Sequence, residues 1–281
     1  MRSHGGIAAL VILALVFTSA IADDGDAITL LRKRDFAGIE TLLAGVQNRF
    51  ENGALSEIEL RNAYRPFYTL DVQGVTNLTE WVNRAPTSYP AHLAMGIYLK
   101  RKGIDARGTA YISDTPQQNI DLMRQYHAQA KIQLEKSLSL TKAPYLSVWH
   151  LLDMAIFSGD RDISRELLSV ANGLLPNNRL ARNRYMVSLE PRWGGSYAEM
   201  EDFVRTCRRE GVEEDGIAQL EAIMHTDIGS SLEEQGNIRE ARNHFIMAIE
   251  LAKKIGGDFR KDWIPATNYR CTKPEFAAYC Q

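Results

Sequence analysis

The sequence predicts an all-α protein, built as a tetratricopeptide-like helical-repeat solenoid of antiparallel helix pairs. Three observations support this fold class. Helix start signals recur along the chain, apolar residues step by three and four positions, and no segment sustains an apolar-polar alternation with a period of two. The helical spacing is clearest in one series: Leu220, Ile223, Met224, Ile228 and Leu232. We therefore expect helices throughout and no sheet.

The first 22 residues predict a secretory signal peptide. Arg2 precedes an apolar run from Ile7 to Phe17, and the small residues Ala20 to Ala22 are typical of a signal peptidase site. The apolar run is too short to span a bilayer, which takes about 20 residues. We expect cleavage before Asp23 and export to the periplasm or the extracellular space without a membrane span. Retention as an uncleaved anchor is the alternative.

The charge balance argues against two classes of partner. The chain has 33 Lys and Arg residues against 35 Asp and Glu residues, so its formal net charge is −2. A mildly acidic chain is not expected to bind nucleic acid or an anionic membrane surface as its main partner. Two short basic clusters, Arg32 to Arg34 and Lys100 to Lys102, alternate with helical apolar positions, and we interpret them as solvated faces.

Capping boxes mark the predicted helix starts. A side chain that can cap a helix is followed three residues later by Glu at five positions: Ser56, Asn77, Ser196, Asn237 and Thr272. Asn77 also begins a glycosylation sequon, for which capping is the simpler interpretation. The stretch from Ile28 to Arg65 predicts the first helical pair, with Gly53 ending its first part.

Three further helix pairs are predicted after this one. The first pairs the segment around Gly96 and Gly103 with the segment around Ala130 and Leu134. An insertion from about Arg107 to Tyr126 separates them, and insertions in helical arrays often decorate the binding face. The second pair starts near Tyr145 and closes at Pro176. The last matches a tetratricopeptide unit most closely, at Gly229, Leu232, Gly236, Ala241, Phe245 and Ala248.

Three segments carry a resemblance to a known family. They are Met95 to Leu99, Ala106 to Gly108 and, most distinctively, the Pro-Arg-Trp-Gly-Gly-Ser run from Pro191 to Ser196. From about Ile28 to Phe203 the chain resembles an uncharacterised bacterial family known only as domain of unknown function 4034. The resemblance implies tetratricopeptide-like helix pairs and export, and it brings no activity or catalytic residues.

The predicted organisation therefore has four parts. Residues 1–22 are the signal peptide, residues 23–210 form the helical domain that resembles this family, residues 211–256 form a tetratricopeptide-like helix pair, and residues 257–281 form a C-terminal tail. In an oxidising compartment we expect a disulfide between Cys271 and Cys280 to hold the tail. For Cys207 we favour a small buried hydrophobe over a reactive thiol.

The Arg192 to Gly195 run supports two interpretations. An exposed Trp193 beside Arg192 could stack a planar or sugar ligand. Alternatively Pro191 ends one helix, the glycines turn the chain and Ser196 caps the next helix, which is the interpretation we favour.

No residue pattern predicts chemistry. The six histidines form no metal motif, so we expect no metal site and no cofactor, and His150 with Asp153 is interpreted as a surface pair. No nucleophile elbow, phosphate loop or dinucleotide fingerprint is present in the sequence. The sequence therefore gives no indication of an enzyme.

Our first functional hypothesis is a non-enzymatic interaction module that binds a protein or peptide of the bacterial envelope. Neutralising or delivering a secreted toxin would be one case of it. The candidate binding residues are Tyr98, Arg101, Arg107, Arg192 and Trp193. The alternative is a small-ligand-binding protein or hydrolase, with a pocket between Arg107 and Trp193.

Overall fold

The computed structural model describes residues 24–109, 114–256 and 273–279. These residues form twelve α-helices and include no strand, so the all-α prediction is confirmed. In chain order the helices are α1 (Asp24–Arg32), α2 (Phe36–Glu51), α3 (Glu57–Tyr64), α4 (Val72–Arg84), α5 (Tyr89–Arg107), α6 (Gln117–Ser137), α7 (Tyr145–Ser158), α8 (Arg161–Leu174), α9 (Leu180–Ser188), α10 (Tyr197–Arg209), α11 (Glu214–Glu234) and α12 (Ile238–Ala252). The predicted signal peptide, Cys271 and Cys280 lie outside the described residues.

Side-chain caps start several of these helices, but two of the predicted caps were wrong. Asn237 precedes α12 without a capping side-chain hydrogen bond, and Asn77 caps no helix. The predicted cap at Thr272 lies outside the described residues. Ser56 and Glu59 form the reciprocal capping box of α3, and Ser196 accepts a hydrogen bond from the Glu199 amide at the start of α10. Asn77, by contrast, lies inside α4, which starts earlier because Asp71 caps it. The buried Asn77 amide instead donates to the Leu31 carbonyl at 3.0 Å and ties α4 to α1.

Glycine lets α5 and α6 approach closely. A Cβ on Gly96 would lie 2.6 Å from Leu134 side-chain atoms, and one on Gly103 would lie 2.5 Å from the His127 ring. The early part of α5 therefore faces the late part of α6, and the pair is antiparallel. Because α6 already begins at Gln117, the second half of the predicted insertion is the start of this helix.

The other two close pairs are joined by short turns, which make them antiparallel. Gly159 ends α7 with a φ of 74°, and α8 starts two residues later. Gly236 has a φ of 81° between α11 and α12. A Cβ on Gly229 would lie 2.6 Å from the Phe245 ring, so Phe245 fills the space inside this helix pair.

The buried apolar residues form one large cluster and two smaller ones. The large cluster runs from α1 to α9, and its largest enclosed side chains are Trp81, Tyr64, Tyr145 and Phe67. A second cluster joins α9, α10 and α11, and a third packs Phe245 of α12 against Phe276. Among the described residues, no helix is both long and apolar enough to cross a membrane.

Candidate ligand-binding groove

A groove with a volume of about 1370 Å³ lies between α6 and α8. Its floor is the second half of α7, where Leu151, Met154 and Ile156 are buried. The α6 wall runs from Ile120 to Leu138, a distance of roughly 27 Å at 1.5 Å per residue. Small-molecule sites enclose about 300–1,000 Å³, so this groove suits a longer ligand.

The α8 wall is apolar although it faces outward. Ile163 and Val170 line the groove and are 42% and 49% exposed, with Leu167 between them. Leu168 and Ala171, beside them on the helix, are buried, and Leu167 packs partly against the large apolar cluster. The apolar surface of α8 therefore extends beyond the part that described residues of this chain cover, and Ile163 and Val170 form its exposed edge.

Aromatic rings gather around Phe157 at one end of the groove. The Phe157 ring contacts the His127 ring edge-on at 6.2 Å and the Trp193 ring edge-on at 5.9 Å between centroids. The Arg184 guanidinium lies over Phe157 at 5.2 Å. Within the described residues, His127 Nε2 and Trp193 Nε1 are enclosed and have no hydrogen-bond partner. Burial and the Lys100 charge lower the pKa of His127, so its ring is neutral at pH 7.

Arg107, the last residue of α5, lines the groove and is only 9% exposed. Its Nη1 donates to the Gly108 carbonyl at 3.1 Å. No carboxylate of the described segments lies within ion-pair distance of this guanidinium. A buried positive charge without a counter-charge is unfavourable, and a ligand could supply that counter-charge.

Arg192 stands at the Trp193 end of the groove, next to two carboxylates. Its Nε donates to Glu190 at 2.7 Å and lies 4.0 Å from Asp227. Burial raises the pKa of Glu190 to about 7, which outweighs the opposing effect of Arg192. Burial also raises the pKa of Asp227, although Tyr197 donates a hydrogen bond to it at 3.1 Å.

Beneath the groove floor lies a buried ionic cluster that the sequence reading missed. Lys100 Nζ donates to Asp153 Oδ2 at 2.5 Å, and Arg184 Nε donates to the other carboxylate oxygen. Burial alone would raise the pKa of Asp153, but the charges and hydrogen bonds of the two cations hold it well below its usual range. The interpretation of Lys100 as part of a solvated basic face was therefore wrong, since its side chain is 2% exposed.

The interpretation of His150 and Asp153 as a surface pair was also wrong, because both are buried. His150 is fully enclosed, and neither ring nitrogen has a partner among the described residues. Burial and the charge of Lys100 lower its pKa well below the ordinary value, so the ring is neutral.

Three of the five candidate binding residues, Arg107, Arg192 and Trp193, line the same groove. The other two do not. Because a helix turns about 100° per residue, Tyr98 lies on the opposite side of α5 from Arg107, and Arg101 lies about a third of a turn away from it. Arg101 pairs with Asp105 at 2.8 Å.

The glycines of the Pro191 to Ser196 run have structural roles. Residues Pro191–Trp193 form a 3-10 turn, which Gly194 ends with a φ of 83°. A Cβ on Gly195 would lie 2.1 Å from the Leu189 carbonyl oxygen, so no other residue fits there. Trp193 is left half-buried against Phe157, where it forms part of the groove.

Other possible chemistry is sparse in the described residues. No group of three or more His, Cys, Asp or Glu side chains there could hold a metal ion. Cys207 is a free, buried thiol, and burial raises its pKa to about 11, which agrees with its interpretation as a small hydrophobe.

The resemblance drawn from Pro191 to Ser196 stays a prediction. A scan of the chain against protein-family models finds no matching family, and searches of curated proteins and of solved structures find no match either.

Proposed function

We propose that this chain is an exported, non-enzymatic interaction module that binds a peptide segment of another protein in the groove between α6 and α8. The observation that carries the proposal is the exposed apolar edge of α8 opposite the α6 wall. Ile163, Leu167 and Val170 are spaced by four and three residues, the spacing by which helices line peptide grooves. A stack of helix pairs as a solenoid, and a partner in the bacterial envelope, belong to the same proposal.

The dimensions and charges favour a peptide over a small molecule. A wall of roughly 27 Å matches about eight residues of extended chain or about 18 residues of helix. The α6 wall carries Arg124, Lys131 and Glu135, whereas the α8 side carries Asp160 and Glu166. Charged side chains on both sides of an apolar groove complement a segment that has polar as well as apolar side chains, but not a purely apolar chain.

The test is selection of peptides from a random twelve-residue library on the purified chain from Asp23 to Gln281. We expect enriched peptides that lose affinity when Val170→Lys places a charge on the α8 wall. Val72→Lys is the matched control, because Val72 is 85% exposed and is not among the groove-lining residues. A library that yields no enriched peptide, or peptides that bind Val170→Lys and wild type equally, would rule out the groove as a peptide site.

The second candidate is a hydrolase or small-ligand-binding protein. The observation in its favour is Glu190, a carboxyl whose pKa is raised to about 7 near the Trp193 end of the groove. Its carboxylate is engaged by Arg192 and largely enclosed, which leaves little room for a general base to reach a substrate. Hydrolysis of p-nitrophenyl acetate by the wild-type chain, lost in Glu190→Gln, would favour this candidate.

A further inference from the structure

Arg107 differs from the other cations of the groove. Arg124 pairs with Asp121 at 3.4 Å and Lys131 pairs with Glu135 at 3.6 Å, each one helical turn away and exposed. Arg107 is nine-tenths buried and has only the Gly108 carbonyl as a partner among the described residues. Its Nε and Nη2 have no protein partner there and are not fully enclosed, so they remain accessible from the groove.

A purely structural role for Arg107 is the main alternative. An arginine in the last turn of a helix interacts favourably with the carbonyl end of that helix, and the bond to Gly108 is such a contact. An exposed side chain would achieve the same effect without losing its hydration. Burial of a guanidinium with most of its donors unused is therefore unexplained by the helix end alone.

No described groove residue close to Arg107 in sequence supplies a negative charge. The groove-lining residues closest to it along the chain are uncharged, namely Ile104, Gly108 and Thr109, and Ile120 and Met123 of α6 are apolar. Of the acidic residues that line the groove, Glu135 pairs with Lys131, and Asp160 and Glu166 lie on the α8 side. Asp160 also caps α8 by accepting from the Ile163 amide at 3.1 Å. Among the described residues, Arg107 is therefore left without a carboxylate partner, which a ligand could supply.

We propose that Arg107 binds a carboxylate of the peptide that occupies the groove, with the apolar residues of that peptide lying against α8. This inference rests on the proposed function and adds the chemistry of the ligand. A guanidinium fits a carboxylate through two parallel N–H···O bonds, which add geometric specificity to the attraction of the charges. The carboxylate comes from an Asp or Glu side chain or from the free C-terminus of the peptide.

The experiment repeats the library selection on the wild-type chain, on Arg107→Gln and on Arg124→Gln. Both variants remove one positive charge from a groove-lining residue, so Arg124→Gln is the matched control. We expect peptides selected on wild type to be enriched in an acidic residue at a fixed distance from their apolar residues. The enrichment should vanish on Arg107→Gln and persist on Arg124→Gln.

The best selected peptide is then synthesised in three forms: unchanged, with the acidic residue replaced by its amide, and with an amidated C-terminus. Loss of one charge-assisted pair predicts about 10- to 100-fold weaker binding to wild type for the form that lacks the bound carboxylate. That form should bind wild type and Arg107→Gln equally. The two altered peptides thereby distinguish a side-chain carboxylate from a C-terminal one.

The thermal stability of the unliganded protein separates a ligand role from a structural one. If Arg107 serves to bind a ligand carboxylate, Arg107→Gln removes a buried charge that has no counter-charge in the unliganded protein. The melting temperature of the variant should then be the same as that of wild type or higher. A fall in melting temperature with unchanged peptide affinity would show that Arg107 is structural and would overturn the inference.

Two further outcomes would distinguish failure of the Arg107 carboxylate site from failure of the peptide groove. Enriched peptides without an acidic residue, or with one that Arg107→Gln still selects, would refute the carboxylate site and leave the peptide groove standing. Binding of dodecanoate together with no enriched peptide would refute both, because the occupant would then be an acyl chain.

Discussion

Removing the carboxylate of the buried ionic cluster should cost more stability than any surface change in this protein. In Asp153→Asn the shape is kept, but Lys100 and Arg184 lose the one carboxylate that contacts them both among the described residues. Lys100 is 2% exposed and Arg184 is 18% exposed, so neither charge regains full hydration. Breaking a buried pair in this way costs about 3–5 kcal/mol.

The assay is unfolding by heat and by urea, followed by circular dichroism. For a chain of this size each kcal/mol lowers the melting temperature by about 2–4 °C, so we expect a fall of roughly 10 °C for Asp153→Asn. Glu135→Gln is the matched control, because it removes a carboxylate from the exposed Lys131 pair. That change should cost no more than about 0.5 kcal/mol.

A double variant tests whether the charges depend on each other. Lys100→Met with Asp153→Leu removes one cation and the anion, so only Arg184, the more exposed of the two cations, loses its carboxylate. Replacing a buried pair by apolar residues is often nearly neutral, so the double variant should lose less stability than Asp153→Asn alone. A loss of less than about 1 kcal/mol of unfolding free energy in Asp153→Asn would refute this prediction. A double variant that loses as much stability as Lys100→Met and Asp153→Leu lose separately, added together, would refute it as well.

Three further predictions concern single residues. The pKa of Glu190 is raised to about 7 from an ordinary 4.5, so the folded state holds this proton more tightly than the unfolded state does. The free energy of unfolding should therefore fall by about 3 kcal/mol as the pH rises from 4.5 to 7, and urea unfolding of Glu190→Gln should not show this fall. Gly229→Ala, whose Cβ would clash with the Phe245 ring, should cost about 1–3 kcal/mol in the same unfolding assay. The control is Gly173→Ala, where a Cβ would meet no atom within 4 Å, and it should stabilise by about 0.5–1 kcal/mol. Equal effects of the two changes would contradict the close packing at Gly229. The Cys207 thiol should react with iodoacetamide at pH 8 only after unfolding, as peptide mass spectrometry would show, and rapid labelling of the folded chain would contradict its burial.

Local signals predicted much of the fold. The Ser56 box and the Ser196 cap act within four residues, so the sequence alone identifies them. Asn77 matched the same pattern and yet lies inside α4, because Asp71, six residues earlier, caps this helix. Which of two possible caps is used depends on where the apolar face of the helix must point, and tertiary packing decides that.

The site was predictable only in part, for a similar reason. The five candidate residues were named on resemblance and chemistry, neither of which shows where a side chain points. Arg107, Arg192 and Trp193 line the groove, whereas Tyr98 and Arg101 do not. Lys100 was missed because its basic neighbours suggested a solvated face. The burial of Lys100 could have been predicted from two glycines. Gly96 and Gly103 mark the side of α5 that packs against α6, and Lys100 lies between them in sequence, on a neighbouring part of the buried surface.

The central claim is that the groove between α6 and α8 is the binding surface. The most direct measurement places a photo-reactive benzophenone in the middle of the best selected peptide and maps its crosslinks by mass spectrometry. We expect crosslinks within Arg161–Leu174 of α8 and along the groove-facing residues of α6, and their loss in Val170→Lys but not in Val72→Lys. Crosslinks confined to α1–α4 or to α11 and α12 would contradict the claim.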